Sequence, residues 1–368
     1  MVDVDDVPVL FSAAEEYYEA AAAELRSAFA DARVERLGSD LGRAAGAGLT
    51  EATLAKACTS RPLVFIRHIA RQRAVVATDA DAECVAAAMV DVAAANGAAG
   101  GAVSLQVWNA TSPPPIRLHD IRAAGRSALA AAGYEVRRGN AELVLGVCST
   151  ADAALITATR IDHVLADWAG GRVSLVKRPE QISRSEFKLE ELFKVFPLPV
   201  VAPGRAADLG ASPGGWTRIL RGLGHEVWAV DPAALDPRLR HDRGVHHCAT
   251  TAGRFVEGNQ ERFDLVVNDL RMDPHASVAI MNSAADALAP GGLAIVTLKI
   301  GGHRPRATVT RSLETLRRRY EVLFARCLFH NRAEVTVVLR VRPGRIGPDQ
   351  EHPINGRGRE SRSSGRTT

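Results

Sequence analysis

Asp208 and the glycines at 210, 214 and 215 fall in the stretch A-D-L-G-A-S-P-G-G-W-T, where small apolar residues run into a carboxylate, a glycine-rich turn and an amphipathic segment. That order predicts strand, tight turn and helix. Glycine lets a backbone approach a ligand closely and adopt dihedrals closed to other residues. The helix start behind it offers unpaired N–H groups and a positive dipole end. A dinucleotide site would read G-x-G-x-x-G and a P-loop would end in G-K-[ST]; this turn reads G-x-x-x-G-G, through Gly210, Ser212, Pro213, Gly214, Gly215 and Trp216. It suits a nucleoside-like ligand without a phosphate chain, for which S-adenosyl-L-methionine is the candidate. An ordinary βα turn is the bland alternative.

Five more charged residues close or flank apolar runs. Asp231 ends the next strand, where a carboxylate can accept both hydroxyls of a bound ribose; capping a helix ahead of Pro232 is its other use. Asp269 closes V-V-N-D and Lys299 closes I-V-T-L-K, while Lys188 lies in S-R-S-E-F-K and Glu334 opens E-V-T-V. A lysine ending so apolar a strand is costly to desolvate without partners. Singly each reads as a surface charge. Strand ends of a doubly wound sheet converge on one edge, however, so these side chains can meet.

The elements that would bring them there divide the chain in two. Residues 1–170 read as an α+β module, with strands over 7–11, 61–68, 103–108, 142–148 and 153–159 and helices over 13–32, 80–95 and 117–132. In residues 171–342, strands recur at 206–209, 226–230, 245–248, 265–268, 293–298, 322–329 and 334–341. Helices fit at 183–196, 215–223, 277–288 and 307–320. This alternation predicts a doubly wound, mostly parallel seven-stranded sheet. The turn at 330–332 is too short for a parallel crossover, so the last two strands should pair antiparallel. Residues 343–368, rich in Gly, Ser and Arg, read as a disordered basic tail.

Composition limits the function classes. Hydrophobic content of 46% with 24% charged residues is that of a soluble globular chain. Its Ala-rich segments are too short or too interrupted to span a bilayer, and an acidic start (M-V-D-V-D-D) argues against a targeting peptide. Five scattered cysteines without C-x-x-C spacing disfavour a disulfide scaffold or a zinc site and suit a reduced, cytoplasmic protein. Net charge is only +4, yet residues 1–170 hold 15 basic and 21 acidic side chains against 31 and 21 in the rest. A basic second half attracts polyanions.

Two lysines, an aspartate and a glutamate in this order around D-L-G-A-x-P-G-G-W resemble the catalytic tetrad of FtsJ-like ribose 2′-O-methyltransferases. S-R-S-E-F-K-L-E-E at 183–191 and F-H-N-R-A-E-V-T-V at 329–337 resemble segments of the bacterial members that act on large-subunit ribosomal RNA. The similarity runs over roughly residues 182–342 and is fainter in L-V-F-I-R-H at 63–68. It implies an α/β chain: a Rossmann-like S-adenosylmethionine methyltransferase domain with an antiparallel last strand, preceded by a smaller α+β THUMP-like RNA-binding module. It further implies Lys188, Asp269, Lys299 and Glu334 as catalytic residues. The cofactor would meet Ser185, Asp208, Gly210, Ser212, Pro213, Gly214, Gly215, Trp216, Asp231, Thr251 and Asp269. Where the family has an acidic residue near the adenine, this chain reads C-A-T-T at 248–251. The implied substrate is a cytidine of 23S (large-subunit) rRNA.

A ribose hydroxyl attacks a sulfonium methyl only as its proton leaves, so a general base is required. Lysine, protonated at neutral pH with a pKa of about 10.4, serves only if burial or a second ammonium lowers that value. Lys299 is assigned as base, Lys188 as its electrostatic helper, and Asp269 and Glu334 as their orienters. The competing class is a catalytically inactive rRNA-binding or ribosome-assembly factor on the same fold. A nicotinamide oxidoreductase is disfavoured by the glycine spacing.

Overall fold

A computed structural model describes residues 7–343 except 61, 78, 98–99, 140 and 199–202; the expected tail lies outside the described residues. The first half holds β1 (Val9–Ser12), α1 (Tyr18–Ala28), β2 (Arg33–Arg36), β3 (Leu41–Ala45), α2 (Glu51–Ser60) and β4 (His68–Ala77). It continues through α3 (Ala82–Ala95), β5 (Ala102–Asn109), α4 (Leu118–Ala131), β6 (Glu135–Val136), β7 (Leu143–Ser149) and β8 (Ala153–Arg160). These strands form one eight-stranded sheet in the order β2-β3-β1-β4-β8-β7-β5-β6. The long β4 joins its halves, pairing with β1 through residues 68–71 and with β8 through residues 72–77.

The second half runs α5 (Glu186–Val195), β9 (Arg205–Leu209), α6 (Gly215–Gly222), β10 (Glu226–Val230), α7 (Pro237–Arg240) and β11 (Val245–Cys248). It closes with α8 (Ala252–Gly258), β12 (Phe263–Asn268), α9 (Pro274–Ala284), β13 (Leu288–Lys299), α10 (Pro305–Leu316), β14 (Tyr320–Arg326) and β15 (Glu334–Val341). Its seven strands are ordered β11-β10-β9-β12-β13-β15-β14. The first five are parallel, and β15 enters antiparallel between β13 and β14. This is the mostly parallel, doubly wound sheet with an antiparallel last strand that the alternation predicts. Central strands are buried on both faces and so read as unbroken apolar runs; residues 293–298 of β13 are all buried.

One expected strand is absent. Of that stretch, residues 62–67 form no strand and residue 61 lies outside the described residues; β4 begins only at His68. Leu63, Val64, Phe65 and Ile66 are apolar because they fill the joint between the two sheets, within a core cluster that draws on both halves. The joint is also hydrogen-bonded. Phe65 donates its N–H to Glu24 Oε2 at 3.1 Å, and Cys327 donates its N–H to the Val64 carbonyl at 2.7 Å. Arg67 donates Nε to the Cys327 carbonyl at 3.0 Å and Nη2 to the Leu328 carbonyl at 2.9 Å. The first half therefore grips the turn that leads into β15.

Phe65 is fully buried, so Phe65→Ala should cost roughly 3–5 kcal/mol through lost transfer energy and a residual cavity. Because its cluster spans both sheets, chemical denaturation should shift one common transition. Two resolved transitions, with only one displaced, would show that the halves unfold independently.

Candidate active site

β13 alternates its side chains, which puts Thr297 and Lys299 on one face. Antiparallel register sets Lys299 opposite Glu334, the first residue of β15. On the other flank β12 ends at Asn268, in register with Leu209 of β9 and Val296 of β13, so Asp269 emerges at the carboxyl edge. Helix α5 crosses this edge and supplies Lys188. The four predicted catalytic residues meet there. Lys188 Nζ lies 2.9 and 3.1 Å from the Asp269 oxygens and 2.6 Å from Glu334 Oε2. Lys299 Nζ lies 2.9 Å from Asp269 Oδ1 and 2.9 Å from Glu334 Oε1. Two ammoniums and two carboxylates alternate around a closed ring.

Their side chains retain only 14–19% of their exposure, a site where unpaired charge would be expensive. Burial pushes the Lys188 pKa down, but the carboxylates of Asp269 and Glu334 outweigh it and hold the ammonium above the ordinary lysine value. Burial likewise raises the Asp269 carboxyl, and Lys299 and Lys188 together reverse this and keep it below the usual aspartate range. Thr297, which the sequence reading passed over, donates its hydroxyl to Asp269 Oδ1 at 2.5 Å and accepts from Lys299 Nζ at 2.8 Å. Its place two residues before Lys299 was the available signal.

The glycine turn packs against residues that flank this ring. Gly210, with φ of 84°, leaves no room for a side chain, since Leu270, the residue after Asp269, occupies that space. Gly214, with φ of 114°, is filled over by Leu239, and Gly215 lies against the hydroxyls of Ser183 and Ser185. The close neighbours of these glycines are thus protein side chains. The turn is tied to β10 by Gly210 N–H to the Val230 carbonyl at 2.9 Å. Ser212 N–H donates to Asp231 Oδ2 at 3.2 Å, and Ala233 N–H donates to Oδ1 at 2.8 Å. Asp231 therefore stands at the edge, where a ribose could replace these donors.

Other expected cofactor residues serve the scaffold through their side chains. Trp216 is 3% exposed and donates its indole N–H to the Ser185 carbonyl at 2.8 Å, locking α6 to the start of α5. Ser185 Oγ lies 2.6 Å from Ser183 Oγ. Glu186 accepts from Ile182 N–H at 2.7 Å and pairs with Arg218, fixing the helix that presents Lys188. Thr251 caps α8 by accepting from Arg254 N–H. Asp208 is 1% exposed and accepts from Thr217 Oγ1 at 2.7 Å; burial pushes its carboxyl up to about 7. Pro213 follows Ser212 through a cis peptide bond. Among the described residues no helix is long and apolar enough to cross a membrane, and all five cysteines are free.

Residues 181–304, from the loop before α5 to the end of the loop after β13, match the family model of the FtsJ-like methyltransferases. The chain is similar to the ribosomal RNA large subunit methyltransferase M of Halorhodospira halophila, with 36% identity over 187 residues, 49% of this chain and 53% of that protein. The protein of the same name from Methylococcus capsulatus is 34% identical over 202 residues, 50% of this chain and 56% of its own length. An uncharacterised protein of Methanocaldococcus jannaschii is 31% identical over 124 residues, 34% of this chain and 35% of its own. The chain thus spans about half the length of the curated relatives it matches.

Asp208 supplies a check on this geometry. A carboxyl held near 7 in the folded chain, against about 3.9 when unfolded, keeps a proton that the unfolded chain has released. Wild-type stability should therefore fall as pH rises between those values and level off above them. Asp208→Asn removes that slope, so its melting temperature should gain on the wild type from acid to neutral pH. Parallel curves would mean that Asp208 is charged in the native state.

Proposed function

We propose that this chain, with its FtsJ-like domain, is an S-adenosyl-L-methionine-dependent RNA ribose 2′-O-methyltransferase acting on a cytidine of large-subunit rRNA. One observation supports this reading above all: the ring of Lys188, Asp269, Lys299 and Glu334 packed against a glycine turn that carries no phosphate-binding signature. Residues 171–342 would form the catalytic domain, with residues 1–170 as a THUMP-like module gripping RNA through phosphates and shape. The cofactor would lie along the turn, its ribose on Asp231 and its sulfonium toward the ring.

Transfer then follows from charge. Bound S-adenosylmethionine would supply an electrophilic methyl to the 2′-oxygen and depart as the neutral thioether S-adenosylhomocysteine, while Lys299 Nζ would take the hydroxyl proton. Lys188, which the two carboxylates keep protonated, is the fixed positive charge of the pair and steadies the developing alkoxide. A bound sulfonium adds a third positive charge beside two carboxylates. The site therefore sheds a proton most readily with cofactor in place. A ribosome-assembly factor without catalysis has no use for so costly a buried ring.

Lys299→Met should lower methyl transfer to unmodified rRNA by at least about 100-fold while cofactor affinity measured by calorimetry stays near the wild-type value. Retained turnover in Lys299→Met would end the assignment.

A further inference from the structure

Beside the ring lies a cleft of about 330 Å³ lined by Arg184, Ser185, Phe187, Lys188, His330, Arg332 and Glu334. Lys188 and Glu334 thus face both the ring and this cleft; the remaining lining side chains have no part in the transfer chemistry. The rings of Phe187 and His330 sit 5.2 Å apart, tilted by 41°, and Phe329 meets His330 edge-on at 5.4 Å. Phe329 is 39% exposed, unusual for so large an apolar side chain. Arg184 and Arg332 are exposed, and neither guanidinium has an ion-pair partner among the described residues.

His330 is held in place. Glu191, 2% exposed and one turn along α5 from Lys188, accepts the Phe329 N–H at 2.7 Å and the His330 N–H at 2.8 Å. The same carboxylate lies 2.7 Å from His330 Nδ1. An ionised carboxylate only accepts, so Nδ1 carries the proton and Nε2 is the nitrogen left for a ligand. A buried acid that fixes an imidazole at the mouth of a cleft is more than packing requires. Glu191 and His330 lie 139 residues apart in sequence, so no local pattern announced them.

We propose that this cleft is the acceptor-nucleotide subsite: it takes one unstacked nucleotide of an RNA strand, its base against Phe187 and His330 and its flanking phosphates on Arg184 and Arg332. The proposal rests on the methyltransferase reading and adds to it the residues that hold the acceptor. Aromatic faces recognise bases only after they leave a stack, and arginines beside them take the backbone. A nucleotide seated so brings its ribose to Lys188 and Glu334, which line the same cleft. Nε2 of His330 gives the base edge or ribose a fixed hydrogen-bonding partner, and Glu191 is the positioning residue behind it.

The test measures steady-state methylation of an unmodified large-subunit rRNA transcript, with cofactor affinity and thermal melting beside it. Phe187→Ala, His330→Ala and Arg332→Ala should each raise KM for RNA roughly 10-fold while cofactor affinity and melting hold. Arg332→Ala should also flatten the salt dependence of RNA binding. If Phe187→Ala melts early, Phe187→Leu, which keeps the apolar volume and loses the ring face, decides in its place. Ultraviolet crosslinks from RNA to peptides containing Phe187 or His330 are expected in the wild type. KM values within twofold of an active wild type, with no such crosslink, overturn the subsite and leave the enzyme reading standing. A wild type that methylates no RNA at all takes down the parent reading instead.

Discussion

Two ammoniums sharing two carboxylates in a mostly buried ring is the constraint the rest of this molecule serves. Any one of the four left alone would be a buried charge without compensation. Together they are neutral and fix one another in place. Each arrives on a different element: Lys188 on α5, Asp269 after β12, Lys299 at the end of β13 and Glu334 at the start of β15. The ring thus forces the helix ahead of the sheet, two of its central strands and the returning antiparallel strand into one register. Around it a second set of polar contacts does the holding: Glu186 on Arg218, Trp216 on Ser185, and Thr297 on both Asp269 and Lys299.

The glycine turn belongs to the same arrangement. Gly210, Gly214 and Gly215 read in the sequence as room for a ligand, yet their nearest neighbours are Leu270, Leu239 and two serine hydroxyls. The turn is thin so that the protein can close on it from three sides, which brings Asp231, the ring and the start of α5 to one edge. Asp208 shows the cost: a carboxyl driven so far into the core that it holds its proton near neutrality.

Much of this was legible in the residues. Apolar runs that end in a charge, at Asp269 and Lys299, mark strand ends on the functional edge, and the four-residue set could be assembled before any coordinates. The run at 63–66 misled because strands buried on both faces and loops buried between two sheets share one signature, continuous apolar residues. β2 and β3 escaped because Arg33, Glu35 and Arg36 give an edge strand almost no alternation. Trp216 and Asp208, read from the sequence as ligand contacts, have their side-chain polar groups bonded within the protein, the indole N–H to the Ser185 carbonyl and the carboxylate to Thr217. Nothing local pairs Glu191 with His330, since that contact exists only once α5 has crossed the turn before β15.

The position of β15 has a consequence for how the molecule is made. It is the last strand in chain order among the described residues, yet it lies between β13 and β14, which must leave a slot for it. During synthesis the first five strands of this sheet can assemble with the glycine turn already formed. His330, Arg332 and Glu334, which line the cleft beside the ring, are made only after them. A chain that has not yet added β15 therefore has the glycine turn but lacks Glu334, one of the four members of the ring.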